Sequence, residues 1–506
     1  MHNDGASVPT PFLERLNAWR KPLFWLVAAL ALLHFVHLKS DFPLHSQFAW
    51  EDAPMVDEGW YSSAAINTFL GRGWVLPGDF NPGVALPVWP AMAWVAFHIG
   101  GMGIVSLRAL EVLVFFVLVL FSYRIAVAYE GEGAGLFAVF FLMSSPYCFA
   151  FSRLGFLEFP MMMFLMAAVL LICHRDRQSA GRYALAGALV ALSLLTKTLV
   201  VFLLPGLLYV VVERSNFRLS VTAKNLARMT LGAAVVLAAY YLLYARSEWV
   251  AFEYLFRANY GEFPATTLAQ KFARFSRPLR KGGSTDLLFF AAAIASAAGA
   301  LLLPKLRDLW RRPLFVVSQL WIFGFLFMMG LHNNAVPRYY ASVLPALFFV
   351  GVILLKKLEI QWPVAAKVFV LLLLAETIVN IGETLYFVAR PTYTLLHATE
   401  GVRRLVGTDP GPIISHNAFE ITLFTGLPGI NEDYGEQPIA WRVAHYQPHW
   451  WVRQGYWFDG TDMPDAVGDR YRFDKTAEFQ VFNHVPGYVV YHMVPIAGTP
   501  NAAAQK

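Results

Sequence analysis

Ala85-Leu86-Pro87-Val88-Trp89-Pro90-Ala91-Met92-Ala93-Trp94-Val95-Ala96-Phe97-His98-Ile99 is apolar enough to enter a membrane, yet short for a span and interrupted by two prolines. A helix needs about 20 apolar residues to cross the hydrocarbon core. Eleven other segments are candidate spans: 22–38, 105–128, 133–151, 158–174, 182–196, 198–213, 229–245, 286–303, 313–331, 339–355 and 364–388. If residues 85–99 also crossed, every later loop would change sides. Loops on the cytoplasmic side are rich in Lys and Arg. With 85–99 lying flat, the cytoplasmic loops hold Arg175, Arg177, Arg182, Arg214, Arg218, Lys224 and Arg228, then Lys305, Arg307, Arg311, Arg312, Lys356, Lys357 and Lys367. If it crossed, all of them would face outward. The flat reading follows.

Composition agrees with a polytopic membrane protein. The 506 residues are 57% hydrophobic, 15% aromatic and only 15% charged, with a mean hydropathy of +0.49. Soluble domains carry roughly 25% charged residues. The net charge of +6 is spread over short loops, which argues against a nucleic-acid partner. The two cysteines, Cys148 and Cys173, lie in apolar segments and read as packing residues. Arg15, Arg20 and Lys21 precede the first span with no cleavage site after it, the pattern of an uncleaved signal anchor.

This topology sorts the polar residues without further assumption. Asp57, Glu58, Glu158, Lys197 and Arg338 fall on the outer face, with a first outer loop at 39–104, an outer loop at 246–285 and the region 390–506. The expected division is a cytoplasmic stretch 1–21, a transmembrane domain 22–389, and an outer domain 390–506. That last region has twelve acids, nine Lys or Arg and no long apolar run. Pro412–His416 and Glu478–His484 read as strands, the latter pairing with Gly487–Val494 across a turn at Pro486-Gly487. Val402–Val406 and Ala418–Phe424 read as helical. The expectation is a small α/β domain on a mostly α protein.

Asp57 and Glu58 stand just beyond the first span, in Val56-Asp57-Glu58-Gly59-Trp60-Tyr61. One carboxylate there can deprotonate an attacking hydroxyl while its neighbour orients substrate or holds a cation. Acids opening a helix at Trp60–Leu70 would also satisfy its dipole. Glu158, in the stretch Arg153 to Pro160, opens a span and can form a second polar wall or snorkel to the interface. Lys197 lies at a membrane-level hairpin, where an ammonium requires an anion. Arg338-Tyr339 follows His332-Asn333-Asn334, and Arg338 can fork onto a phosphate, whereas Tyr339 also suits an interfacial anchor. Arg274 and Arg277 alternate with Phe272, Phe275 and Leu279 in the loop 246–285, an amphipathic pattern that attracts anionic headgroups. His445 and His449 are separated by Pro448, which breaks the helix a zinc pair would need. Trp450, Trp451 and Trp457 suit sugar stacking, interface or core. Asp459, Asp462, Asp465 and Asp469 do not follow a calcium-loop pattern.

An acid pair after the first span, a flat segment, an acid opening the fourth span, Leu195-Thr196-Lys197 and an external Arg338-Tyr339 follow one order. That order resembles the GT-C membrane glycosyltransferases, most closely the branch of protein O-mannosyltransferases and the lipid A aminoarabinose transferase. The resemblance covers most of residues 20–390. It implies transfer of a sugar from a polyprenyl-phosphate donor to a protein, lipid or glycan acceptor at the outer face. Asp57 would be the base, with Glu58 and Glu158 in support. Lys197 and Arg338, joined by Arg274 and Arg277, would neutralise the donor phosphate, and Tyr61 and Tyr339 would line the substrate. A divalent cation held by Asp57, Glu58 or Glu158 is left open, because no Asp-x-Asp motif follows the first span. Glu158 replaces the more usual Asp, and Asn81-Pro82-Gly83 replaces a Lys-Pro or Pro-Pro opening. The rival is a transporter or flippase of lipid-linked sugars, which calls for repeated halves and mid-membrane charges; no repeat is visible. A tail at Ala504-Gln505-Lys506 without an ER-retention signal fits a bacterial inner membrane.

Overall fold

The computed structural model describes residues 19–43, 57–174, 178–250, 286–331, 336–407, 411–432, 435–455 and 465–496, with isolated positions between them. Arg274, Arg277, the rest of the amphipathic stretch, His332-Asn333-Asn334, Arg175, Arg177, Trp457, Asp459 and Asp462 lie outside the described residues.

Every apolar segment becomes helical. The helices are α1 (Arg20–Leu33), α2 (Asp57–Phe69), α3 (Val88–Gly100), α4 (Ile104–Glu130), α5 (Glu132–Ser144), α6 (Glu158–Cys173), α7 (Ala180–Thr196), α8 (Leu204–Arg214), α9 (Leu219–Tyr240), α10 (Leu287–Leu302), α11 (Pro313–Leu331), α12 (Leu344–Gln361) and α13 (Pro363–Ala389). In lipid the backbone has no water to bond, so spanning segments satisfy their N–H and C=O groups internally as helices. Among the described residues four stretches are long and apolar enough to cross alone: Ile104–Glu130, Leu219–Ala245, Arg338–Gln361 and Pro363–Val406. A bent pair, Leu287–Leu302 with Pro304–Arg311 at 110°, adds a fifth, and several shorter apolar helices pack among them. The chain is a multi-pass membrane protein.

Burial ranks the helices by position. The apolar window of Arg338–Gln361 is 89% buried, at the centre of the bundle. That of Leu219–Ala245 is 6% buried, leaving α9 on the rim. Helix α9 is held there by glycines. A Cβ on Gly187 of α7 would stand 1.8 Å from the Met229 carbonyl oxygen, and one on Gly232 of α9 1.8 Å from that of Ala184. Small residues let helix backbones meet where lipid supplies no hydrophobic drive. Gly187→Val and Gly232→Val are each expected to force α7 and α9 apart and cost about 1–3 kcal/mol. A lowered thermal midpoint in detergent checks this; unchanged midpoints in both would contradict the close contact.

The basic loops gather at one end. Glu130, closing α4, pairs with Arg312 at 2.9 Å and Lys356 at 3.0 Å, and Asp308 pairs with Lys357 at 2.7 Å. The other end of α4 carries the acids discussed below. A 27-residue helix separates the two ends by about 40 Å.

Most buried residues of 85–99 belong to a second apolar core, while Met92 packs against the main one. Helix α3 packs on α2, where Trp89 Nε1 donates to Ser62 Oγ at 3.1 Å. In that second core Trp89, Ala93 and Phe97 join Tyr61 and Ile66 of α2, and Ile414, Phe419, Ile430, Trp451 and Val489 of the C-terminal region complete it.

That region is an α/β unit with helices α14 (Thr394–Val406), α15 (Ala418–Thr425) and α16 (Ile439–Tyr446). Its strands are β1 (Ile413–Ser415), β2 (Gly429–Asn431), β3 (Trp450–Gln454), β4 (Tyr471–Val481) and β5 (His484–Pro495). They form one sheet in the order β2-β1-β3-β5-β4. The three inner pairings mix parallel β2/β1 and β1/β3 with antiparallel β3/β5, and β4/β5 is an antiparallel hairpin. The expected hairpin is present but its turn is not at Pro486-Gly487. It falls at Phe482 and Asn483, with Phe482 at φ +51°. Gly487 serves a close approach instead: a Cβ there would stand 2.3 Å from the Val481 nitrogen. Strands β2 and β3 were not expected; both are too short to show an alternating pattern.

Candidate active site

Helix α2 begins with its two acids, and their side chains part at once. Asp57 turns to the membrane helices, where Arg338 Nη2 meets its Oδ2 at 2.6 Å. Arg338 opens the turn that leads into the most buried helix, α12. Its Nε lies 3.5 Å from Glu158 Oε1. Glu158, first residue of α6, is also bonded by Lys197 Nζ at 2.5 Å. The hairpin lysine at the end of α7 therefore finds its anion in the acid that opens α6, the helix before it. Lys197 Nζ sits 4.2 Å from the centroid of Tyr339, and the Arg338 guanidinium lies 4.9 Å from that of Phe156. Asp57, Arg338, Glu158 and Lys197 thus form one chain of alternating charge walled by aromatic faces. Asp57 is its most accessible member, with 18% of its side chain exposed.

Tyr61 lies one turn on from Asp57 and is buried. Burial first, then the Asp57 charge, push its phenol well above its ordinary range, so it stays neutral and can only share its proton through hydrogen bonds. Tyr339 is also buried and joins the chain through its ring.

Glu58 takes no part in that chain. It is fully buried, and Arg108 of α4 grips it through Nε at 3.0 Å to Oε1 and Nη2 at 2.6 Å to Oε2. The Gly155 N–H donates to the same carboxylate at 2.8 Å. Arg108 Nη1 in turn binds the Leu38 and Ser40 carbonyls at 2.8 and 2.7 Å. Glu58 and Arg108 are a clamp joining α2, α4, the end of the first span and the turn before α6. Glu111, three residues beyond Arg108, is buried with neither carboxyl oxygen bonded.

Asp57, Glu58 and Glu158 are kept apart by cations: Arg338 stands between Asp57 and Glu158, Lys197 also binds Glu158, and Glu58 turns away to Arg108. Among the described residues no three His, Cys, Asp or Glu side chains gather as metal ligands do. The donor set as held does not fit a divalent cation.

The aromatic stretch of the C-terminal unit is mostly structural. Trp451 is in the core, His445 stacks on Trp441 at 4.6 Å, and His449 Nδ1 pairs with Asp409 at 2.9 Å. Asp469 is exposed.

Arg108, Glu111 and Glu420 escaped the sequence reading. The first two were legible in principle: an Arg and a Glu three residues apart inside an apolar span need a polar reason. Glu420, in an apolar run of a distant domain, carries no such signal.

Residues 82–244 match the sequence family of dolichyl-phosphate-mannose-protein mannosyltransferases. That stretch contains Glu158 and Lys197 but neither Asp57 nor Arg338. No curated protein sequence matches the chain. Among solved structures, apo ArnT from Cupriavidus metallidurans is similar with a TM-score of 0.63 at 16% identity, over 93% of this chain and 98% of that one. ArnT bound to undecaprenyl phosphate gives 0.59 at 14%, over 92% and 97%. AglB, the oligosaccharyltransferase of Archaeoglobus fulgidus in complex with an inhibitory peptide and a dolichol-phosphate, gives 0.52 at 12%, over 94% and 76%. At these identities the likeness establishes the fold: the chain has the fold of ArnT across nearly its whole length, and residues 82–244 resemble the protein mannosyltransferases in sequence.

Proposed function

We propose that the protein transfers a sugar from a polyprenyl-phosphate donor to a hydroxyl or amine of a protein, lipid or glycan, at the outer face of a bacterial inner membrane. The observation that carries this reading is the buried chain Asp57–Arg338–Glu158–Lys197 at the end of the bundle opposite the basic loops. A fold shared with proteins solved with undecaprenyl phosphate and dolichol-phosphate supports the donor class.

The chemistry assigned to these residues balances. Asp57 accepts the proton of the attacking acceptor as its oxygen or nitrogen bonds to the anomeric carbon. The bond from that carbon to the phosphate oxygen breaks, and its electron pair leaves with the polyprenyl phosphate. Lys197 and Arg338 stabilise the charge that grows on the leaving group. Fixed cations in a water-poor site are worth more than in solution and need no reorganisation. Glu158 holds both cations at the right depth until the phosphate competes for them. Tyr61 and Tyr339 give the sugar and phosphate a neutral, aromatic wall.

The test is purified protein in nanodiscs with a panel of radiolabelled polyprenyl-phosphate sugars, comparing wild type with Asp57→Asn. Release of carrier by wild type alone supports the transferase. Donor binding with no turnover under any acceptor mixture sinks it and favours the transporter.

Lys197→Met is expected to raise the donor KM more than it lowers kcat, because one phosphate cation is lost while Asp57 stays in place. A charge-assisted hydrogen bond is worth about 1.5–3 kcal/mol, or roughly 10–100-fold in affinity. An unchanged donor KM in a folded variant would remove Lys197 from the phosphate site.

A further inference from the structure

The first turn of α2, which presents Asp57, is fixed by a side chain from the far end of the sequence. The N–H groups that open a helix have no acceptor within it. The Gly59 N–H is bonded by Glu420 Oε2 at 2.7 Å, across 361 residues. Glu420 belongs to α15 of the C-terminal unit and is fully buried. The two helices meet backbone to backbone at this point. A Cβ on Gly59 would stand 2.2 Å from the Glu420 nitrogen and 2.3 Å from the Phe419 carbonyl carbon, so only glycine lets α15 come this close. Phe419 beside it packs into the second core with Tyr61 and Ile66.

Burial, reinforced by the nearby Glu58 charge, pushes the Glu420 carboxyl well above the usual carboxylate range. The Gly59 N–H needs only a side-chain oxygen to accept it, and Glu420 Oε2 supplies one. Glutamine can reproduce that role and alanine cannot.

We infer that Glu420 is a positioning residue for Asp57: through the Gly59 N–H it locks the first turn of α2, so that the C-terminal unit sets the aim of the base toward Arg338. This rests on the reading of Asp57 as the base of a glycosyl transfer. A merely structural Glu420 would hold the domain on and nothing more. The two roles separate because an aiming role acts on kcat and not on donor binding, for the phosphate cations Lys197 and Arg338 come from the membrane helices.

The experiment uses the full chain in nanodiscs, as wild type, Glu420→Gln and Glu420→Ala, with donor turnover and hydrogen exchange measured on the same samples. A displacement of about 1 Å at a reacting group lowers rate by roughly 100-fold. The expected result is a kcat near wild type for Gln, a kcat lower by about 10–100-fold for Ala at unchanged donor KM, and faster exchange in Ala confined to residues 57–62. A wild-type kcat in Glu420→Ala overturns the inference. So does a Gln variant as impaired as Ala, or a loss of rate that tracks a general loss of thermal stability. If wild type itself turns over no donor, the transferase reading fails separately. Exchange at residues 57–62 then still decides whether Glu420 locks that turn: no difference between Ala and wild type means it does not.

Discussion

Asp57→Asn is expected to lower donor turnover by about 10²–10⁴-fold, the usual worth of a positioned general base. The substitution keeps the shape of the side chain and an oxygen for the Arg338 contact at 2.6 Å, while removing the group that takes the proton. Donor KM should hold or fall, because Arg338 is released from a carboxylate and becomes freer to meet phosphate. A drop in kcat and in kcat/KM of equal size at constant KM marks an interaction made only in the transition state. Single-turnover release of the polyprenyl carrier, measured with donor in excess of its Kd, is the proper readout. Equal rates in wild type and variant would show that the acceptor needs no base or that another group supplies it.

Arg108→Met should give the largest loss of stability, about 3–5 kcal/mol, as expected when a buried ion pair loses one partner. The side chain is replaced by one of similar length, so little cavity forms. What is lost is the bidentate grip on Glu58 and the hydrogen bonds to the Leu38 and Ser40 carbonyls. Among the described residues Glu58 then keeps the Gly155 N–H as its donor from outside α2. The double variant Arg108→Met with Glu58→Gln should recover part of the loss, because the stranded charge is gone. Thermal unfolding in one detergent, on all three variants and wild type, tests both statements. A single variant as stable as wild type would show the clamp to be idle.

Much of this was legible in sequence, for reasons that differ by level. The helical segments were visible because hydrocarbon leaves the backbone no other choice. The flat placement of 85–99 was argued from fourteen basic residues that had to share one side, and the helix expected there is present as α3, packed on α2. Lys197 announced a buried anion, and Glu158 supplies it. The parting of Asp57 from Glu58 was not legible. Adjacent residues at a helix start point about 100° apart, but which acid meets which helix depends on Arg108 and Arg338, 230 residues from each other. Arg108 and Glu111 were hidden by treating residues 105–128 as uniformly apolar. The hairpin turn was misplaced because Pro486-Gly487 has turn composition, whereas its glycine answers a crowded strand crossing. Local composition reports what a segment tolerates; a contact across the chain decides what it is used for.

The second core has a consequence for how the protein is made. Tyr61, Ile66, Trp89 and Phe97 leave the ribosome early, and the residues that cover them, Ile414, Phe419, Trp451 and Val489, come several hundred residues later. Until then the helix bearing Asp57 has an uncovered apolar side and an unfastened first turn. The contacts that close this core and fasten that turn therefore join the two ends of the sequence. A product cut short before α15 would lack both the side chains that cover this core and the Glu420 oxygen that holds the Gly59 N–H.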